Sequence, residues 1–224
     1  SPSRLETIHP NRMKTMLKTD TENKTLLMTG DVGYDDGFDA DMVADALAEF
    51  GGEAFSFTLR SDGGIITEGL SIYNQFREYP GEITGHVDVK AHSIASVVML
   101  GADQLSASAN AHFLLHEAWT IAMGSANELR EIADALEIAQ GDIVAAYVDK
   151  ASDRHDWRAI MHSAEKHSAQ AVLEMGLIDS IRELPPRTTG KAENNSEGAE
   201  KVLKGLANRP RKFEHVELEP CQTT

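Results

Sequence analysis

The chain has 224 residues, 41% of them hydrophobic, which is enough for one domain with a hydrophobic core. Its net charge of −15 repels phosphate backbones, so we expect no nucleic-acid partner. There is no apolar run of membrane-spanning length, residues 1–23 lack the apolar region of a secretory signal, and Cys221 is the only cysteine. We therefore expect a cytoplasmic protein without a disulfide framework or membrane contacts.

Residues 1–24 are polar and are expected to form an N-terminal arm. The segments that follow alternate between strand and helix periodicity. Strands are predicted at 24–30, 55–59, 83–89 and 112–116, and helices at 38–50, 65–79 and 93–101. This alternation predicts an α/β fold with largely parallel strand pairing.

The second half of the chain is mainly helical in pattern. A long helix is predicted at 127–149, because its apolar residues are spaced by three and four between acidic flanks. Two shorter helices are predicted at 153–166 and 169–175, and a last strand at 177–181. Beyond Pro185 the periodicity ends, so we expect a domain at 25–184 and a flexible C-terminal tail at 185–224.

Three features could supply the groups that acyl transfer needs. The segment 61–64 (SDGG) lies between a predicted strand and helix, where glycines let backbone N–H groups approach an anion. Ser93 follows a strand and opens an apolar helix, a position that exposes a nucleophilic hydroxyl. His116 ends the next strand and could act as its general base. Together they predict a hydrolase site.

Each feature alone has a commoner structural explanation. Two glycines often form a plain turn, and a serine at a helix start usually caps the helix. One of nine histidines at a strand end is weak evidence for catalysis. Only the combination of the three features favours a catalytic site.

Segments 61–76 (SDGGIITEGLSIYNQF), 89–103 (VKAHSIASVVMLGAD) and 112–120 (HFLLHEAWT) resemble the ClpP family of serine peptidases. Segments 29–47 and 168–181 are similar to one branch of it, the ClpP-like head-maturation proteases of tailed phages and prophages. The resemblance implies the ClpP/crotonase-like spiral of ββα units. It also implies a homo-oligomeric ring, with the helix at 127–149 as a handle in subunit contacts.

The resemblance assigns roles to individual residues. It implies Ser93 as nucleophile, His116 as base, and the backbone N–H groups of Gly64 and Ile94 as the oxyanion hole, with no metal ion or organic cofactor. The sequence departs from the family pattern Gly-x-Ala-x-Ser, since residues 89–93 are VKAHS. It also has Asp62 where the family usually has proline.

The family's third catalytic residue, an aspartate, has no counterpart in this sequence. Alignment backwards from the segment 168–179 places His162 or Ile160 at that position. His162 would then orient His116 through a hydrogen bond. The alternatives are an exposed bystander histidine and a Ser-His dyad, and without the carboxylate we expect slow turnover or none.

The leading hypothesis is a serine endopeptidase that cleaves peptide segments of capsid or scaffold proteins in a phage prohead. The chain has no P-loop motif, so any ATP-driven unfoldase would be a separate chain. A second hypothesis is a catalytically weakened ring-forming assembly protein of the same fold. A third, an acyl-CoA enzyme of the crotonase type, is disfavoured by the pairing of Ser93 with His116.

Overall fold

An eight-stranded sheet organises residues 17–183, the part of the chain that the computed structural model describes. Its strands are β1 (Leu17–Asp20), β2 (Thr25–Thr29), β3 (Phe55–Ser61), β4 (Ile83–His92), β5 (Gln104–Ser108), β6 (His112–Leu114), β7 (Lys166–Ser168) and β8 (Ser180–Arg182). The helices are α1 (Ala40–Phe50), α2 (Ile66–Glu78), α3 (Ala95–Val98), α4 (Ala126–Ala151), α5 (Trp157–Ser163) and α6 (Ala169–Met175), and a 3₁₀ turn at Met99–Gly101 extends α3.

The main strand order is β1-β2-β3-β4-β5-β8, and every pair in it is parallel except β1 with β2. Parallel strands need crossover connections, which α1, α2 and the α3 segment supply between successive strands. The α/β class with largely parallel pairing is confirmed.

Strand β4 is shared between two sets of partners. Its first half, Thr84–Val87, pairs with β5, and its second half, Lys90–His92, pairs with β6. Strand β7 then pairs antiparallel with β6. The end of β4, directly before Ser93, therefore lies where the main sheet branches toward β6 and β7.

Helix α2 packs closely on the residue after Ser93. Gly69 lies under Ile94, since a Cβ at Gly69 would collide with the Ile94 side chain. On the same helix, Ile72 and Phe76 are buried in the core. This packing holds the start of α3 against the body of the domain.

Helix α4 has two parts with different surroundings. It begins with a capping box, in which Ser125 and Glu128 satisfy each other's backbone N–H groups. Most of its first half is exposed, as Ile138 is at 69%, whereas Ile143 and Tyr147 in its second half are buried. No helix among residues 17–183 is long and apolar enough to cross a membrane.

Several elements differ from the sequence-based expectations. Strand β1 lies inside the expected arm, because Leu17 is buried and the strand pairs with β2. Strands β5 and β7 were not predicted. Helix α5 is shorter than the predicted 153–166, because Asp156 caps its start and Ala164 turns into the left-handed region. Leu177 and Ile178 are buried outside the last strand, which begins at Ser180. The rest of the expected arm, residues 1–16, and the expected tail lie outside the described residues.

Candidate active site

Ser93 occupies a sharp turn between β4 and α3. Its φ of 53° lies in the left-handed region, which non-glycine residues seldom adopt and which is common at functional sites. The Ser93 N–H donates to the carbonyl of Leu114 at 2.8 Å, so the turn is anchored to β6. The predicted helix at 93–101 begins two residues late, at Ala95, because Ser93 takes this conformation.

The glycine loop after β3 lies directly against Ser93. A Cβ at Gly63 would be 2.5 Å from the Ser93 Cβ, and Gly63 and Gly64 have φ values of 101° and 149°. Val32 donates to the Gly63 carbonyl at 2.7 Å and accepts from the Ile65 N–H at 2.9 Å. These two hydrogen bonds pair Val32 with Gly64 as parallel strands would. In such pairing the Gly64 N–H points away from Val32. Glycine is required here by both backbone conformation and space.

A cavity of about 480 Å³ brings the predicted site residues together. Ser93, Gly64, Ile94 and His116 all line it, although they come from three separate segments of the chain. Its other lining residues are mostly aromatic and aliphatic, with two carboxylates: Tyr34, Asp62, Ile66, Glu117, Ala118, Trp119, Thr120, Ile121, Ile143 and Tyr147. The cavity is large enough to hold part of a peptide.

His116 is half-buried just beyond β6. Its Nδ1 lies 2.7 Å from the backbone carbonyl of Glu117, and a carbonyl can only accept, so Nδ1 carries the proton. In a neutral imidazole, Nε2 is then an acceptor, as a general base requires. The buried Gln140 side chain fixes the next residues, because its Oε1 accepts from the Ala118 N–H at 2.8 Å.

A family model described as Clp protease matches residues 40–184, more than half of the chain. The chain belongs to the Clp protease family. Its mixed α/β sheet with flanking helices agrees with the ClpP-like fold that the sequence predicted, and membership supports a serine peptidase activity. The match includes the glycine loop, the Ser93 turn and His116.

His162, the predicted third member, does not contact His116 in this Clp protease family member. Its side chain is 80% exposed, and its Nδ1 is 3.3 Å from the Glu117 carboxylate. Ile160, the other position that the alignment allowed, packs against the core and has no polar group. Among residues 17–183 no side chain is hydrogen-bonded to His116, so the role of His162 stays a prediction.

The pairing of β6 with β7 ends two residues before His116. The last residue pair of the β6–β7 ladder is Leu114 with Lys166. Ala164 has a left-handed backbone, with φ 49° and ψ 35°. The pairing therefore reaches neither His116 nor Ala164, and the Ala164 N–H instead donates to the Met161 carbonyl at 3.2 Å.

The departures from the family pattern form one charged network. Asp62 accepts from Lys90 Nζ through one oxygen and lies 3.1 Å from His92 Nδ1 through the other. The hydrogen bond from Lys90 holds the pKa of Asp62 below its ordinary value. Burial lowers the pKa of His92, although the Asp62 carboxylate opposes that shift. Sequence reasoning noted these residues separately and missed that they join the glycine loop to β4.

Ser96 is not an alternative nucleophile. It is fully buried, and its hydroxyl donates to the Ser93 carbonyl at 2.5 Å. Tyr147, from α4, lies 2.7 Å from the same hydroxyl. Sequence reasoning missed this contact as well, since the two residues are far apart in the chain.

Proposed function

We propose that this chain is a serine endopeptidase that works through an acyl-enzyme. Ser93 attacks a peptide carbonyl, His116 accepts and returns the proton, and the N–H groups of Gly64 and Ile94 bind the oxyanion. The observation that carries the proposal is the strained turn at Ser93 in one cavity with the other three residues.

The hydrogen bonds of His116 support its role as base. With Nδ1–H donated to the Glu117 carbonyl, Nε2 takes the Ser93 proton as the tetrahedral intermediate forms. His116 then protonates the leaving amine, and a water molecule activated in the same way hydrolyses the acyl-enzyme. A neutral carbonyl stabilises the imidazolium less than a carboxylate does, so we expect slow turnover.

We also propose that the substrates are segments of capsid or scaffold proteins and that the protein acts in the host cytoplasm or prohead. This part rests on the similarity to phage head-maturation proteases. The exposed first half of α4 supports assembly with further copies into a ring, because Leu129 and Ile138 are exposed there at 42% and 69%.

One observation favours the second hypothesis, a weakened assembly protein. No carboxylate among residues 17–183 is hydrogen-bonded to His116, whose Nδ1 is bonded to the Glu117 backbone carbonyl instead. Such a protein would keep the ring and lose the chemistry.

Labelling with a fluorophosphonate separates the two functions, because only an activated serine reacts. We expect the full chain to be labelled at Ser93, heat-denatured chain to remain unlabelled, and Ser93→Ala to lose both labelling and peptide cleavage. Ser163→Ala, which removes an exposed hydroxyl on α5, is the matched control and should label normally. A folded chain with no labelled serine would overturn the peptidase proposal and support the assembly protein.

A further inference from the structure

Three residues form a buried chain of hydrogen bonds that ends at the backbone of Ser93. Tyr147, in the second half of α4, is 1% exposed, and its hydroxyl lies 2.7 Å from Ser96 Oγ. Ser96 Oγ lies 2.5 Å from the Ser93 carbonyl oxygen. The Ser96 N–H donates to that carbonyl as well, at 2.9 Å.

The direction of these hydrogen bonds follows from their chemistry. The Ser93 carbonyl can only accept, so the Ser96 hydroxyl donates its single proton to it. Tyr147 must then donate to Ser96 Oγ. Burial raises the pKa of Tyr147, so its hydroxyl remains a donor at neutral pH.

The carbonyl that receives this chain shares a peptide plane with an oxyanion donor. The peptide bond joins the Ser93 carbonyl to the Ile94 N–H, and no cis peptide bond occurs in the described chain. In a trans peptide the carbonyl and the N–H point in opposite directions. Holding the Ser93 carbonyl against Ser96 therefore aims the Ile94 N–H the other way. The Ser96 hydroxyl and the Ser96 N–H are the two donors to this carbonyl, and Tyr147 supports the first of them.

We propose that Tyr147 is a positioning residue that orients the Ile94 N–H of the oxyanion hole through Ser96. The inference rests on the proposed peptidase function and adds to it a residue outside the catalytic set. Tyr147 acts through the peptide plane, and its ring separately packs on Trp157 with centroids 5.3 Å apart.

Tyr147→Phe isolates the hydroxyl, since phenylalanine keeps the ring against Trp157. An oxyanion donor acts in the transition state, so we expect kcat to fall about ten-fold while KM stays within about two-fold. Ser96→Ala should give a similar fall, and the double variant should fall no further, because both changes cut one chain. The matched control is Tyr73→Phe on α2. It removes a hydroxyl that lies 3.4 Å from Asp149, a residue of α4 like Tyr147, and it should leave kcat unchanged.

Hydrogen exchange tests the same link without any activity. In Tyr147→Phe, and not in Tyr73→Phe, we expect faster exchange of the Ser96 amide that bonds the Ser93 carbonyl. If the wild-type chain cleaves nothing, the proposed function fails, yet faster exchange would still support the positioning role. The inference is overturned if exchange is unchanged, or if an active enzyme keeps its kcat in both Tyr147→Phe and Ser96→Ala. Should Tyr147→Phe not fold, the Ser96→Ala comparison decides alone.

Discussion

Asp62 and Lys90 form an ion pair that connects the glycine loop to the strand leading to Ser93. Beyond an irregularity in the β3–β4 pairing, Ser61 lies opposite Ala91. The side chains of Lys90 and His92, on either side of Ala91, share one face of β4, and both reach the Asp62 carboxylate. This network ties the glycine loop, with the proposed oxyanion donor Gly64, to the strand that precedes the proposed nucleophile Ser93.

The first prediction concerns that network. Asp62→Ala removes the side-chain link between the loop and β4 and leaves Lys90 and His92 without their acceptor. We therefore expect kcat to fall about ten-fold, with a smaller loss in Asp62→Asn, which keeps an oxygen acceptor. Steady-state kinetics on a cleaved peptide would measure both. The control is Asp88→Ala, which breaks an exposed ion pair with Arg60 between the same two strands and should have no effect. Full activity in Asp62→Ala would contradict the role of the network.

The second prediction is a loss of stability in mild acid. Burial lowers the pKa of His86, reinforced by Arg182, and burial also lowers the pKa of His92. The unfolded chain, in which histidine titrates near 6.5, therefore binds more protons than the folded chain below that pH. Stability should be greatest above about pH 7 and should fall as the pH drops through about 6.5 toward 5.

Thermal unfolding at a series of pH values checks this. His86→Gln removes one of the two buried imidazoles, the one that lies within hydrogen-bond distance of Ser106 and Ser108. The fall of Tm with decreasing pH should then be less steep. His162→Gln, at an exposed position, serves as the comparison and should retain the wild-type slope. A wild-type Tm that does not change between pH 7 and 5 would show that neither buried histidine resists protonation.

Local patterns were enough to predict part of this structure. Alternating and helical periodicity predicted β2, β3, β4 and the longer helices, because each buries one face. Strand β5 was missed. Strand β7 was missed as well, because it has three residues and its pairing with β6 depends on a distant part of the chain. The Asp62 network and the Tyr147–Ser96 contact were missed for the same reason: both join residues that only the fold brings together.

The third prediction concerns subunit contacts. The sequence suggested the helix at 127–149 as a subunit contact, but Ile143 in its second half is buried in its own domain and lines the cavity, so it is unsuitable as a test. Met123 and Ile138 are exposed at 94% and 69%. Light scattering on the double variant Met123→Glu and Ile138→Glu should show smaller assemblies than the wild type. Glu131→Gln, on α4 like Ile138, should assemble normally. If the double variant keeps both its fold and the wild-type mass, neither Met123 nor Ile138 makes a subunit contact.

The last prediction compares two positions for the missing carboxylate. His162 matches the family's third member by alignment, whereas Ala164 would come opposite His116 if the register of β6 and β7, which ends at Leu114 and Lys166, were continued by two residues. Aspartate tolerates the left-handed backbone of Ala164 better than most residues, so Ala164→Asp should fold. A carboxylate there would stabilise the imidazolium of His116, and loss of such a group can cost about 10⁴ in turnover. We therefore expect Ala164→Asp to raise kcat at neutral pH by at least about ten-fold.

The same assay determines what His162 does. Because its imidazole contacts Glu117 and not His116, we expect His162→Ala to leave kcat unchanged and His162→Asp to give no gain. Ala159→Asp adds the same charge at an exposed position on α5 and controls for a general electrostatic effect. A carboxylate can assist His116 only from a position that reaches its Nδ1–H. A gain in kcat in His162→Asp without one in Ala164→Asp would therefore show that the alignment, and not the strand register, identifies the third catalytic position. A gain in neither would leave Ser93 and His116 as a dyad that uses the Glu117 carbonyl as its third group.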